Sequence, residues 1–424
     1  MSRTAMLVLV DTKDNHNKFY ELTELPDGSV QARYGRVGAG EQRRVYPPGS
    51  FDKKLKEKTR KGYVERVTSQ SVVSKTLTVD STDHVAESLF SAPDAASKAF
   101  AGHLLQNNRH AISDATGGKI TVNKTSGKVE TALGPVTHLQ LSEARGLLSD
   151  LKDGSRTGIT IERYLTHIPQ RITNLRKTDW ITSQWFSAQD DLLDALDAAL
   201  AASVNGDDTD SDAGKPALIP FRNKLELLTD DDVFESIRAR FTRSSNSIHT
   251  AAAYKLHRVW TIVDERRSAY ESVLGDLKHH RSLWHGTTAG NVLSILRTGL
   301  ICPPMNAGSY STTGRMFGDG VYFSDQSTKS LNYALGAAPG QRGRGAGGGA
   351  MMFLADVAMG REYRPNSSGW DTSIPRTART GTDEKGRPWN SIFVRGGTCG
   401  VRNNEMIVWN TDQITLTHLC EFKR

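Results

Sequence analysis

Four short segments of this chain gather side chains that could grip a polar ligand and act on it. They are Leu283-Trp284-His285-Gly286-Thr287, Met316-Phe317-Gly318-Asp319-Gly320-Val321-Tyr322-Phe323-Ser324, Lys329-Ser330-Leu331-Asn332-Tyr333 and Asn404-Glu405-Met406-Ile407-Val408. An imidazole and a carboxylate can hold or pass protons. Hydroxyls such as those of Thr287 and Ser330 donate and accept hydrogen bonds, and tyrosine rings present flat apolar faces. Each residue also has a plain structural reading. A histidine in a mixed domain is usually a satisfied structural residue, Tyr322 inside Val-Tyr-Phe is strand core, and Glu405 before Met-Ile-Val is a charge at a strand edge.

Other chemistries are narrowed by composition. The three cysteines, Cys302, Cys399 and Cys420, form no C-x-x-C pair, so a zinc finger is excluded and a disulfide framework is not expected. No metal is expected. Lys plus Arg is 54 against 47 Asp plus Glu, a formal charge of +7, which permits nucleic-acid binding without requiring it. No apolar run approaches the ~20 residues of a membrane helix. The apolar stretch Ala5 to Val10 is followed at once by Asp11 and lacks a signal-peptide pattern, so no membrane partner and an intracellular location are expected.

The elements that must position these residues fall into three textures. Residues 1–80 read as a small β-rich domain: strands at Ala5–Val10, Lys18–Leu25 and Ser29–Val37, a turn at Pro26-Asp27-Gly28, and a basic helix from Phe51 to Gly62. Residues 81–94 read as linker, since Ser, Thr and Asp dominate the whole stretch 67–94. Residues 95–216 read as helical, with Ser142 capping one helix and Leu192, Leu193, Leu196, Ala199 and Leu200 striping another. The acidic run Asn205–Asp212 closes that region as a loop. Residues 217–424 read as mixed α/β. Thr229 with Asp232 suggests a capping box, Leu256–Val263, Met351–Ala358 and Glu405–Asn410 suggest strands, Asn291–Thr298 a helix stopped by Gly299, and Gly336–Gly349 a loop.

The four segments resemble, in order and spacing, the catalytic core of the poly(ADP-ribose) polymerase family, defined by a His–Tyr–Glu triad on a split β-sheet. One triplet would be weak, but four in order are specific. Residues 95–200, including Tyr164-Leu165-Thr166-His167-Ile168-Pro169, resemble the family's helical regulatory subdomain. Residues 30–63 resemble its WGR domain, whose signature here reads Tyr34-Gly35-Arg36-Val37-Gly38 with Tyr for Trp. The resemblance implies a multidomain α+β chain: a small β-rich WGR-like domain, an all-α helical bundle and a split-β-sheet ADP-ribosyltransferase domain.

It also implies NAD as a consumed substrate. The catalytic residues would be His285, Tyr322 and Glu405. His285 would bond the adenosine ribose, Gly286 and Ser330 the nicotinamide amide, and Tyr322 and Tyr333 would sandwich the nicotinamide ring. Thr287, Phe323 and Lys329 complete the implied NAD site. Glu405 would hold the nicotinamide ribose, stabilise the oxocarbenium-like centre and polarise the acceptor; members with Glu here can in general extend chains of ADP-ribose. Ile301 departs from the pattern, standing where DNA-activated members often have Arg.

By the same resemblance the N-terminal domain would bind DNA ends or nicks through Tyr34, Arg36, Arg43 and Arg44. The Lys53–Lys61 cluster could add phosphate contacts, and the helical subdomain would gate the enzyme. A poly(ADP-ribose)-forming, DNA-break-stimulated enzyme of the DNA damage response is expected, modifying proteins including itself. It would be nuclear in a eukaryote and in the cytoplasm or nucleoid of a prokaryote. The alternative is a constitutive mono-ADP-ribosyltransferase whose N-terminal domain binds protein.

Overall fold

Buried apolar side chains set the first sheet. In the computed structural model, which describes residues 3–66, 80–118, 120–124, 127–131, 134–154, 158–203, 221–302, 316–336 and 349–424, β1 (Thr4–Asp11), β2 (His16–Glu24), β3 (Val30–Arg36) and β4 (Glu41–Tyr46) run antiparallel. The helix α1 (Phe51–Arg60) packs on this sheet, and β5 (Val64–Arg66) closes its far edge in the order β4-β3-β2-β1-β5. Leu7, Tyr20, Leu22, Val30, Ala32 and Phe51 form the core between sheet and helix. The turn expected at Pro26-Asp27-Gly28 is present, with Gly28 at φ +79° and the Ser29 amide donating to Asp27.

The stretch expected to be linker instead holds a helix, α2 (Ser81–Leu89), with Val85, Ala86 and Leu89 buried. Its apolar residues lie at helical spacing, which the surrounding Ser and Asp hid. After α3 (Ala95–Thr116), three short strands, β6 (Ile120–Val122), β7 (Val129–Thr131) and β8 (Gly134–Pro135), form a small sheet. The helical region is therefore not all-α. α4 (His138–Lys152), α5 (Gly158–His167) and α6 (Ser183–Ala201) follow. Thr137, not Ser142, caps α4, and with Gln140 it makes a full capping box. The expected stripe Leu192, Leu193, Leu196, Ala199 and Leu200 is buried in one core with Leu141, Leu148, Tyr164 and Leu165. The acidic run at 205–212 lies outside the described residues.

The chain divides into two compact units, one chiefly 1–85 with 105–219 and the other 86–104, 220–305 and 311–424, so that the division falls within α2 and α3. The second unit carries, in chain order, β9 (Asn223–Leu227), α7 (Asp231–Arg243), β10 (Lys255–Asp264), α8 (Arg267–Leu277), β11 (His280–Gly286) and α9 (Val292–Thr298). There follow β12 (Val321–Phe323), α10 (Ser327–Ala334), β13 (Ala350–Ala358), β14 (Glu362–Tyr363), α11 (Ile374–Thr380), β15 (Ser391–Val394), β16 (Glu405–Val408) and β17 (Ile414–Lys423). They form two sheets, β11-β13-β17-β10-β9 and β12-β16-β15-β14. Among the described residues a two-residue bridge, Trp284 with Ser324, joins them. Phe90 and Phe100 pack their rings on Trp260 within this unit.

Asp230, rather than Thr229, caps α7 by accepting from the amides of Asp232 and Val233. Gly299, at φ +81°, ends α9 as expected. The Gly-rich segment is outside the described residues from 337 to 348. Among the described residues no helix is long and apolar enough to cross a membrane.

Candidate active site

The candidate residues of the second unit converge on the seam between its two sheets. Trp284 and Ser324 exchange both backbone hydrogen bonds there, at 2.9 and 3.0 Å. One residue on, the His285 ring nitrogen Nδ1 meets the Tyr322 carbonyl at 2.9 Å. A carbonyl only accepts, so Nδ1 carries the proton and Nε2 is left as the acceptor. Burial pushes the imidazole below its ordinary value, against the opposing pull of that hydrogen bond. The ring packs beside Phe323, centroids 5.6 Å apart. This side chain therefore offers a neutral acceptor of fixed orientation.

Backbone alternation explains Gly286. Trp284 turns its N–H and C=O away from β13, toward Ser324. In an antiparallel strand the residue two further on turns the same way, so Gly286 also turns its peptide N–H and C=O away from β13. A Cβ at 286 would land on the carbonyl of Ser330, far inside contact distance. Ser330 Oγ donates to the Trp284 carbonyl at 3.1 Å, closing α10 against β11. Glycine is thus required by the packing of helix on strand, a reason the sequence did not disclose.

Tyr322 is fixed twice over at its hydroxyl. Its hydroxyl donates to the Gly318 carbonyl at 2.7 Å and accepts from the Phe317 amide at 2.9 Å, so the ring is braced by the turn before β12. Tyr333, on α10, has its phenol pushed up by burial and then by the charge of Glu405. Thr287 follows β11 and is half-buried.

Glu405 begins β16. Its carboxylate meets Lys329 Nζ at 2.6 Å, and the same ammonium donates to the Asn404 carbonyl at 3.2 Å. Burial pulls each partner towards neutrality, the carboxylate upward and the ammonium downward, while each charge holds the other in its ionised form. At 2.6 Å, with a second acceptor on the lysine, the charged pair is the state the geometry serves. It places a carboxylate of poor solvation, and therefore strong field, at the seam.

Several residues here were not singled out from the sequence. Asn404 ties Glu405's strand to Asp325 and Gly396. Thr328 is held by the Asn246 amide at 2.9 Å and lies 2.8 Å from His249 Nδ1. A cleft of about 450 Å³ lined by Arg243, Asn246, Asp325, Gln326 and Asn404 opens beside Glu405's strand. Only adjacency to Glu405 in the fourth segment hinted at Asn404. Among the described residues no cluster of His, Cys, Asp or Glu forms a metal site.

The N-terminal candidates belong to the first unit. Arg43 and Arg44 lie exposed on β4, Arg43 paired with Glu41 at 2.9 Å. Tyr34 stacks on Tyr20 with centroids 5.2 Å apart, and both line a cleft of about 380 Å³ with Lys18, Arg36 and Lys58. Arg36 itself is turned inward within the unit. Its guanidinium donates to the Asn15 carbonyl at 2.7 Å, to Asn15 Oδ1 at 3.0 Å and to the Ile172 carbonyl at 3.3 Å.

Comparison with known proteins adds two family models. That of the poly(ADP-ribose) polymerase catalytic domain matches residues 231–424, and that of the WGR domain matches residues 3–70. Poly(ADP-ribose) polymerase 1 of Gallus gallus is 25% identical over 321 residues, covering 69% of this chain and 31% of its own length. Protein mono-ADP-ribosyltransferase PARP3 of Homo sapiens is 24% identical over 431 residues, covering 91% of this chain and 75% of its own. A putative poly(ADP-ribose) polymerase-like protein of Invertebrate iridescent virus 6 is 30% identical over 142 residues, 34% of this chain and 70% of the viral one. The chain thus spans less than a third of the length of the chicken relative.

Proposed function

The chain belongs to the poly(ADP-ribose) polymerase family, and from that premise we propose that its second unit cleaves NAD, releases nicotinamide and transfers ADP-ribose to a macromolecular acceptor. The observation that carries this reading is the seam itself. A neutral, oriented His285 and a Lys329-paired Glu405 lie on opposite sheets beside a backbone cradle that only Gly286 permits. The cradle suits a planar amide, because peptide N–H and C=O groups match an amide's acceptor and donor.

In this reading His285 Nε2 accepts from a ribose hydroxyl, Gly286 and Ser330 hold the nicotinamide amide, and Tyr322 and Tyr333 flank the ring. Thr287 and Phe323 complete the site. The glycosidic bond to nicotinamide breaks with positive charge developing on the ribose, as in glycoside hydrolysis. Glu405 opposes that charge through the ribose hydroxyl and draws on the incoming acceptor's proton. Lys329 keeps the carboxylate ionised despite burial. The acceptor approaches along the cleft that Asn404 lines.

We assign DNA-end sensing to the N-terminal domain, with proteins, including the chain itself, as acceptors. Exposed Arg43 and Arg44, the WGR match and the net positive charge support it. Chain extension is proposed on the presence of Glu405. A mono-transferring reading is kept in view by the human relative's name. One experiment addresses all of this: labelled NAD incubated with a panel of DNA ends, with products resolved by length. Glu405→Gln is expected to lower transfer roughly 10²-fold. A variant as active as the parent overturns Glu405's role, and equal rates with and without nicked DNA favour the constitutive reading.

A further inference from the structure

Glu405 stands at the first residue of its strand, where pairing is least able to hold a side chain in place. The residue before it carries an unusual load. Asn404 Nδ2 donates to Asp325 Oδ2 at 2.8 Å, and its Oδ1 accepts from the Gly396 amide at 2.8 Å. Its backbone carbonyl accepts from Lys329 Nζ and from Ser324 Oγ, both at 3.2 Å. Ser324 Oγ also accepts from the Gln326 amide at 3.1 Å, and Ser324 is the residue that bridges to Trp284. Asn404 is therefore a node joining the turn before β16, the segment between β12 and α10, and the lysine that pairs with Glu405.

A buried ion pair holds its place only when the remaining donors and acceptors are met. Lys329 has three N–H donors. One goes to Glu405 and one to the Asn404 carbonyl. Asp325 faces Asn404 with one oxygen, while its other, Oδ1, is buried without a hydrogen-bond partner among the described residues. Its negative charge also favours the ammonium form of Lys329. Neither Asn404 nor Asp325 is among the groups assigned to NAD.

We propose that Asn404 and Asp325 are positioning residues, whose amide–carboxylate bond sets Glu405 and Lys329 in the geometry for transfer. This rests on the reading of Glu405 as the charge-stabilising carboxylate. The polarity of the bond is specific. A carboxylate at position 404 would put two carboxylates at hydrogen-bond distance, where both cannot ionise comfortably. Exchanging the two side chains restores it. The amide, now at position 325, donates to the carboxylate at position 404, and that carboxylate still accepts from Gly396. The oxygen of the transplanted amide takes the place of the already unpartnered Oδ1. The total charge beside Lys329 is unchanged.

The test compares the parent, N404D, D325N and the N404D/D325N double variant by steady-state nicotinamide release and by thermal melting. N404D is expected to lower kcat roughly 10²-fold, as a small misplacement of a catalytic group does, with KM for NAD changed by no more than about threefold. Its activity recovers towards acid pH, where one proton is shared by the two carboxylates. D325N loses activity, but less than N404D, because its amide oxygen can still accept from Asn404 although the charge beside Lys329 is gone. The double variant regains most of the loss and the parent's pH profile. N404D with parental kcat, or a double variant that is folded but no better than N404D, overturns the proposal. If N404D does not fold, the double variant decides alone, and its failure to fold or turn over counts against the exchange. A second readout is independent of turnover: the ¹³C signal of the Glu405 carboxyl, assigned through E405Q, titrates differently in N404D and returns in the double variant. A parent that releases no nicotinamide counts against the proposed activity, whereas an unmoved Glu405 signal counts against the positioning role.

Discussion

His285 shows how a buried hydrogen bond selects one chemical form. Burial depresses its imidazole, and His249 and His418 are depressed for the same first cause. The unfolded chain therefore takes up protons first as pH falls. Stability contributed by these groups is whole above 6.5 and is lost as pH drops from there through their lower folded values. Glu405, raised by burial from 4.5, works the other way, its contribution fading as pH rises through its folded value. The two effects have opposite sign. His285→Gln should thus reduce the acid-side loss of melting temperature below pH 6.5 while leaving Glu405's opposing slope; an unchanged acid limb would remove His285 from this account. Gly286→Ala is the companion case. The added Cβ meets a backbone carbonyl rather than a flexible tip, so α10 must shift. A loss of about 1–3 kcal/mol is expected from overpacking, together with weakened binding of a nicotinamide analogue. Analogue affinity at the parental level would mean the cradle relaxes freely.

At the scale of elements, α7 links a local cap to the site. Its C-terminal end holds α10, with Ser327 N donating to the Ser244 carbonyl and Thr328 Oγ1 accepting from Asn246. Because Asp230 satisfies two orphan amides at the start of α7, Asp230→Ala should cost about 1 kcal/mol, read by denaturant unfolding, whereas Thr229→Ala should be near neutral. The reverse order would assign the cap to Thr229. Thr229 was the residue the sequence favoured, since a hydroxyl followed three residues later by an acid satisfies the capping pattern, and so does Ser142 look well placed in α4. Side-chain reach decided otherwise in both helices, and reach depends on where the backbone leaves its extended conformation.

Strands with an apolar face were legible, as in β1 and β13. β4 was not, because Glu41 to Val45 are all exposed and no period of two appears. Its charges suit an open edge, where they discourage pairing with another chain. The small sheet β6-β7-β8 was hidden for a related reason, each strand being only two or three residues long. At the site, residue types marked His285, Tyr322 and Glu405. Asn404 and Asp325 were unreadable because their value lies in facing each other across 79 positions.

For the whole molecule, the proposed DNA site belongs to the first unit, whose basic groups are not equivalent. On α1, Lys54 and Lys61 are engaged by Glu57, and Lys58 sits 4.0 Å over the Tyr20 ring. Arg36 staples Asn15 to the 172 carbonyl inside the unit. Arg43 and Arg44 on the open edge strand are the better phosphate partners, since meeting a phosphate costs Arg43 only an exposed pairing with Glu41. Two classes of effect should separate. Arg43→Ala with Arg44→Ala should weaken binding to DNA ends and lower the salt slope of log affinity by up to about two, one released counterion per lost contact. The ratio of nicotinamide release with and without nicked DNA should fall in parallel. Arg36→Ala should instead lower the melting temperature of the first unit, with affinity reduced only as far as that unit loosens. Binding measured over a salt series, with melting followed on the same samples, distinguishes them. If Arg36→Ala melts like the parent yet changes the salt slope, Arg36 leaves its internal partners for phosphate. If the double arginine variant keeps the parental slope, the DNA lies elsewhere on the chain and the edge strand has no part in sensing it.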